Sequence, residues 1–261
     1  MNQADDRLRA GDLDGARAAL IEVVRREPGN VPNRMFLFQL LALTGEWDKA
    51  KAQLGSLAQM SPEAQMLSVV YGQAIDAERQ REAVFAGTLR AEIHSTPAEG
   101  EAEWATPLAE AIQAEAQGRA EDAERLRQGA FDAAPDTPGH FDDAPFDWIA
   151  DADPRFGPTL EAIIGGRYGL LPFDRVTEIV SEGPRDLRDI IWYPVEITLK
   201  SGPRIAALIP TRYPGASTDA AERLARATGW DAEGRGSGQR VLVTSDDQDH
   251  GLLTLRSLRF G

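Results

Sequence analysis

A chain of 261 residues with 42 acidic and 28 basic side chains, a net charge of −14 and no cysteine can hold one large or two ordinary domains, each burying a core without metal or disulfide staples. The lack of cysteine excludes disulfide frameworks, thiol chemistry and Cys-ligated zinc. The acidic balance, with no concentrated basic stripe, disfavours nucleic acid or an anionic membrane as partner. No apolar run reaches the roughly 18 residues of a membrane span, and no signal-peptide pattern opens the chain, so a soluble cytoplasmic protein is expected.

The first half reads as helices at about 3–10, 14–27, 31–44, 47–60, 63–94, 102–117 and 120–133. A ten-residue frame recurs inside them: "GDLDGARAAL" from Gly11 and "GEWDKAKAQL" from Gly45. Beyond the frame, Ala16 matches Ala50, Leu20 matches Leu54 and Pro28 matches Pro62, all at a period of 34 residues. Physically the frame is a turn, a helix and a stop: glycine supplies positive φ, Asp12, Asp14 and Asp48 suit a first helical turn, and proline lacks the N–H that would continue the helix. A third copy keeps Gly118, Ala123 and Pro135 but has Arg127 at the Leu20 position. These offsets resemble the tetratricopeptide repeat, and any series of helical hairpins is the simpler alternative. "PNRMFLFQLLALTG" is apolar nearly all round, which predicts a helix buried on several sides.

After "APDTPGHFDDAP" the pattern changes. "RVTEIVS", "WYPVEITLKSGPRIAALIP", "QRVLVTS" and "LLTLRSLRF" alternate as strands do, with a reversal at Ser201-Gly202-Pro203, while "PTLEAIIGG" and "TDAAERLARATG" read as helices. The fold expected is a helical repeat domain over 1–139 followed by an α+β domain over 140–261 with a mainly antiparallel sheet. The first 140 residues carry 23 of the acidic and 14 of the basic side chains, so the helical half has the more acidic surface.

The densest polar cluster is "HFDDAPFDWIADADPRFGP", with His140, Asp142, Asp143, Asp147, Asp151 and Asp153. Closely spaced carboxylates suit magnesium, calcium or manganese, and a metal-dependent enzyme using Asp142–Asp153 is one alternative. The spacing lacks the calcium-loop pattern, however, and Asp153-Pro154 is a common turn or helix start, so Asp147, Asp151 and Asp153 are expected to cap turns. His94, His140 and His250 are scattered, and no nucleotide, hydrolase or cofactor fingerprint occurs. Catalysis, a metal and a cofactor are therefore not expected. Phe146, Trp148, Phe156, Tyr168 and Phe173 read as core aromatics with a binding surface as the alternative, and Arg212 is expected to order the turn at Tyr213-Pro214 by bonding carbonyls or a carboxylate.

With both halves read, the chain resembles the ImpE family, also called SciE-type virulence proteins and TagJ. The matching stretches are "FLFQLLALTGEWDKA" at 36–50, "FDWIADADPRFGPTLEAIIGGRYGLLPF" at 146–173, "DLRDIIWYP" at 186–194, "PTRYPG" at 210–215 and "GQRVLVTSDD" near the end. Trp148, Asp151, Asp153, Arg155, Arg212 and Tyr213 are motif residues expected to be structural. Gly169-Leu170 departs from the aromatic residue expected near that point. The resemblance implies a non-enzymatic accessory protein of bacterial type VI secretion, binding a helix of the small contractile-sheath subunit and associated with the ClpV recycling ATPase. If the repeat frame places the concave face as in tetratricopeptide stacks, Met35, Gln39, Ala42 and Leu43 would receive that helix, unless the 63–94 segment covers them. A self-associating scaffold, whose poorly capped repeat stack pairs with a second copy, is the other alternative.

Overall fold

Gly11, Gly45 and Gly118 take φ of 81°, 72° and 76° in the computed structural model, which describes residues 3–97, 100 and 102–261. That left-handed conformation closes one helix and lets the chain reverse into the next. The helices are α1 (Gln3–Arg9), α2 (Leu13–Arg26), α3 (Val31–Leu43), α4 (Trp47–Met60), α5 (Pro62–Phe85), α6 (Thr106–Ala116) and α7 (Ala120–Ala133). Each frame alanine, Ala16, Ala50 and Ala123, is buried where neighbouring helices approach, as are Leu20 and Leu54. The Asp12 carboxylate accepts the Gly15 N–H at 2.8 Å and caps α2. In the third copy Arg127 fills the apolar position and pairs with Glu115 and Glu124.

The helix expected over 63–94 ends at Phe85. Gly87, at φ 74°, turns the chain out, with Gly87 N–H bonded to Val84 and Thr88 N–H to Ala83. The residues beyond it supply a strand, β1 (Glu92–Ile93). The rest of the chain builds β2 (Gly139–Phe141), β3 (Ala144–Phe146), β4 (Ile149–Asp151), β5 (Thr159–Ile164), β6 (Arg167–Pro172), β7 (Val176–Val180), β8 (Trp192–Leu199), β9 (Arg204–Pro210), a short helix α8 (Ala220–Arg223), β10 (Thr228–Trp230), β11 (Gly236–Gly238), β12 (Val241–Thr244), β13 (Asp249–Gly251) and β14 (Ser257–Phe260). The main sheet runs β1-β6-β5-β9-β8-β7-β14-β2-β3. Its neighbours are antiparallel except β1 with β6. Two small sheets, β10-β11 and β13-β12-β4, flank it.

Two helices expected from the sequence are corrected. "PTLEAIIGG" forms β5, whose residues Thr159 to Ile163 are all buried. Ile163 joins the core under the helices while Leu160 and Ala162 join the core on the opposite face, so both faces are covered and no polar alternation marks the strand. "TDAAERLARATG" is helical only over Ala220–Arg223: Asp219 caps its start and Ala225, at φ 51°, ends it before β10 pairs with β11. "LLTLRSLRF" begins with a single tight helical turn, Leu252–Thr254, before β14.

Helices and sheet share a core. Phe38 of α3 meets Tyr71 of α5 at 5.9 Å between ring centroids, Tyr71 meets Trp192 of β8 at 5.6 Å, and Trp47 of α4 meets Trp192 at 6.0 Å. A second core, with Phe141, Phe173 and Phe260, lies on the other side of the sheet. Since β1 comes from the helical half and the first core spans both halves, the division at 139/140, which we keep as a proposal, separates chain segments and not cores.

Candidate functional site at the junction of helices and sheet

The most concentrated chemistry lies where α5 crosses the sheet. Glu161 of β5 is fully buried and accepts from Arg81 of α5 at 2.7 Å and 2.9 Å, from the Tyr168 hydroxyl at 2.5 Å and from Arg240. Arg240, also fully buried, bridges to Asp151 of β4. Asp151 accepts the Tyr213 hydroxyl at 2.8 Å and the Asp153 N–H at 2.9 Å. Asp153 in turn accepts from Arg155 and from the Gly236 N–H at 2.8 Å. The Arg240 guanidinium lies against both Phe156 and Tyr213, 4.6 Å and 4.9 Å from their ring centroids. Each charge thus meets an opposite one, the condition under which ions survive burial.

The two deepest acids are displaced in opposite directions. Burial opposes ionisation of Glu161, but the charges of Arg81 and Arg240 and the bonds from Arg81 and Tyr168 prevail and hold its carboxyl down at about 2. Asp151 is pushed up to about 6, because burial, aided by the neighbouring Asp153, outweighs Arg240 and its hydrogen bonds.

Beside this network opens a cleft of about 660 Å³ between α3–α5 and the sheet. Its walls include Trp47, Phe85, Ile191 and Pro214. Arg212 stands in it and donates to two main-chain carbonyls, that of Arg223 at 2.8 Å and that of Leu43 at 3.2 Å. It bonds carbonyls as expected, and these are at the C-terminal ends of α8 and α3. Arg81 reaches the Arg212 carbonyl at 2.7 Å, so the 210–215 segment is bonded from both helical elements.

The expected site residues divide sharply. Ala42 and Leu43 are buried in the shared core, which closes them to a partner and corrects that expectation. Met35 and Gln39 are half-buried, and Met35 packs on the same core. Asp151, Asp153, Arg155, Arg212 and Tyr213 are brought together; Asp151 and Asp153 cap the turn as expected, accepting the Asp153 and Arg155 N–H groups at 2.9 Å each, and are buried ion-pair partners as well, while no helix starts at Pro154. Trp148 is excluded from that network and stays 42% exposed. Asp142, at φ 50°, accepts the Ser257 N–H at 2.8 Å. Among the described residues no group of acids and histidines could hold a metal ion.

Reading the sequence missed Arg81, Glu161 and Arg240, and it missed an exposed stripe on α5. Met66, Val69 and Val70 are 69%, 57% and 39% exposed at i, i+3 and i+4 spacing. The face that carries them runs on toward Gln73 and Gln80, which meet the sheet: Gly166 abuts Gln73, and the Tyr168 N–H is bonded to Gln80 at 3.2 Å. The sheet touches this face of α5 at Gln73, which is still exposed, and at Gln80, and leaves the Met66–Val70 part of the face bare. An isolated Glu or Arg inside an apolar strand run was the available signal for Glu161 and Arg240.

Among the described residues no helix is long and apolar enough to cross a membrane. Comparison with known proteins agrees with this architecture in both halves. The tetratricopeptide repeat family matches residues 7–70, and the ImpE protein family matches residues 143–259. The chain is 46% identical to the type VI secretion system accessory component TagJ of Pseudomonas aeruginosa, over 98% of this chain and 90% of that protein. The crystal structure of protein VPA1032 from Vibrio parahaemolyticus superposes with a TM-score of 0.89, covering 99% of this chain and 97% of that one at 20% identity, which establishes the shared fold. Helical repeats fused through one core to this sheet, with the sequence matches across both, place the chain in the ImpE family, to which TagJ belongs.

Proposed function

We propose that the chain is a non-catalytic adaptor of a bacterial type VI secretion system that works in the cytoplasm, receives an amphipathic helix of the small contractile-sheath subunit and links it to the ClpV recycling ATPase. The name of the Pseudomonas aeruginosa relative supports the secretion role. The observation that carries the docking reading is the bare apolar stripe of Met66, Val69 and Val70 at the open end of a repeat stack. Helices stacked as repeats expect a further helix on that side, and residues at i, i+3 and i+4 are the anchors an amphipathic helix uses. Methionine adapts its shape to an incoming ridge. The docking surface moves from α3, where Ala42 and Leu43 are covered, to α5.

Capture of the purified small sheath subunit by the immobilised chain tests this. The double variant Met66→Glu, Val70→Glu alters exposed side chains, so its melting temperature should stay near wild type while capture falls at least tenfold. Undiminished capture by that folded variant would overturn the α5 site. Concentration-dependent mass that the same variant abolishes would assign the stripe to a second copy of the chain instead.

A further inference from the structure

Methionines carry all the sulfur of this chain, which has no cysteine. Those among the described residues differ in what can reach them. Met35 is half-buried and packs on the shared core, Met60 closes α4 at 37% exposure, and Met66 stands on α5 at 69% exposure. Two-electron oxidants attack the thioether lone pair, so access to the sulfur sets the order in which methionines react. Met66 is the most open of the three.

Its neighbours decide what oxidation would do. Met66 leads the exposed stripe with Val69 and Val70, and no charged side chain occurs from Ala64 to Ile75, so recognition on this face rests on apolar contact. A sulfoxide at Met66 adds an acceptor oxygen that must give up its water when a partner helix covers it, with no cation on this stretch of α5 to pair with it. In the free chain the same oxygen stays hydrated, and the fold does not feel it. Oxidation at Met35 would act differently, because it sets a polar group against the core.

We propose that Met66 is an oxidation site that switches docking on α5 off: the sulfoxide form stays folded and receives a helix poorly, while an occupied stripe shields the sulfur in turn. The switch rests on the docking reading under the proposed function, whereas the order of oxidation does not. The oxidant is a hydroperoxide such as hydrogen peroxide. The Met66 sulfur gives up two electrons and gains one oxygen, the O–O bond breaks, and the second oxygen leaves with both hydrogens as water. Methionine sulfoxide reductases reverse the step.

The full-length chain is treated with hydrogen peroxide, its oxidised positions are mapped by mass spectrometry of peptide fragments, and each form is presented to the purified small sheath subunit. Oxygen should appear at Met66 ahead of Met60 and Met35, with an unchanged melting temperature, capture about tenfold weaker, and recovery after treatment with the reductases. Subunit added before the peroxide should slow oxidation of Met66 and leave that of Met35 unchanged. The Met66→Leu chain, whatever its own affinity, should capture equally before and after peroxide. Oxygen appearing first at Met60 or Met35 would overturn the assigned site. Capture by the Met66 sulfoxide form equal to that of the reduced chain, or an equal peroxide loss in Met66→Leu, would overturn the switch. An untreated chain that captures no subunit would overturn the α5 docking reading and the switch with it, while the mapping still decides the oxidation site.

Discussion

Replacing Glu161 by glutamine keeps the side chain's shape and deletes the charge that two buried guanidiniums share. The carboxyl moves from an ordinary 4.5 to about 2 on folding. At about 1.4 kcal/mol per unit the ionised form is favoured by about 3 kcal/mol in the native state. The sign follows from linkage. A carboxyl lowered on folding contributes its stability above pH 4.5 and loses it as pH falls through 4.5 toward 2. Glu161→Gln should therefore unfold about 3–5 kcal/mol more easily at pH 7, the range measured when one partner of a buried pair is removed. It should also lack the wild-type loss of stability between pH 4.5 and 2 that Glu161 causes. Urea denaturation followed by circular dichroism across that pH range reads both quantities. Glu196→Gln, which breaks the exposed pair with Arg204, is the matched control and should change stability by less than about 1 kcal/mol. A Glu161→Gln variant within about 1 kcal/mol of wild type at pH 7 would refute the view that this network is held by compensated burial.

Asp151→Asn carries the opposite pH signature: the native carboxyl is raised from 3.8 to about 6, so its contribution is full below pH 3.8 and lost as pH rises through 6. Relative to wild type, the asparagine variant should improve by about 2 kcal/mol between pH 4 and pH 7 in the same denaturation series, and a constant difference would contradict this. Gly169→Ala should destabilise by about 1–3 kcal/mol, because a β-carbon there would lie 2.6 Å from the Glu92 carbonyl oxygen and 2.9 Å from His94 Nε2. The His94 amide, bonded to Leu170 at 2.8 Å, should then exchange faster with deuterium, and unchanged protection would show that β1 yields without cost.

The last of these positions also accounts for a departure noted in the sequence. Where an aromatic residue was expected, Gly169 lets β1 lie close, and the His94 ring fills the space with its Nε2 3.1 Å from the Ala162 carbonyl oxygen. Burial lowers the His94 pKa, against that carbonyl and Glu92, and so favours the neutral ring.

What the chain alone determined is what neighbours in sequence decide. Gly11, Gly45 and Gly118 end helices because positive φ is a property of one residue, and Ala16 and Leu20 face inward because four residues make about one helical turn. The β8–β9 hairpin was legible for the same reason, since alternation and Ser201-Gly202-Pro203 act over a few residues. Tertiary structure alone decided the rest. β5 looks helical until α5 covers one face and the second core the other, and Glu161 acquires its role only when Arg81, 80 residues away, arrives. Arg240 likewise meets Asp151 across 89 residues, and Arg212 meets the Leu43 carbonyl across 169. A charge can be buried only where the whole packing brings its counter-charge, and no local spacing encodes that meeting.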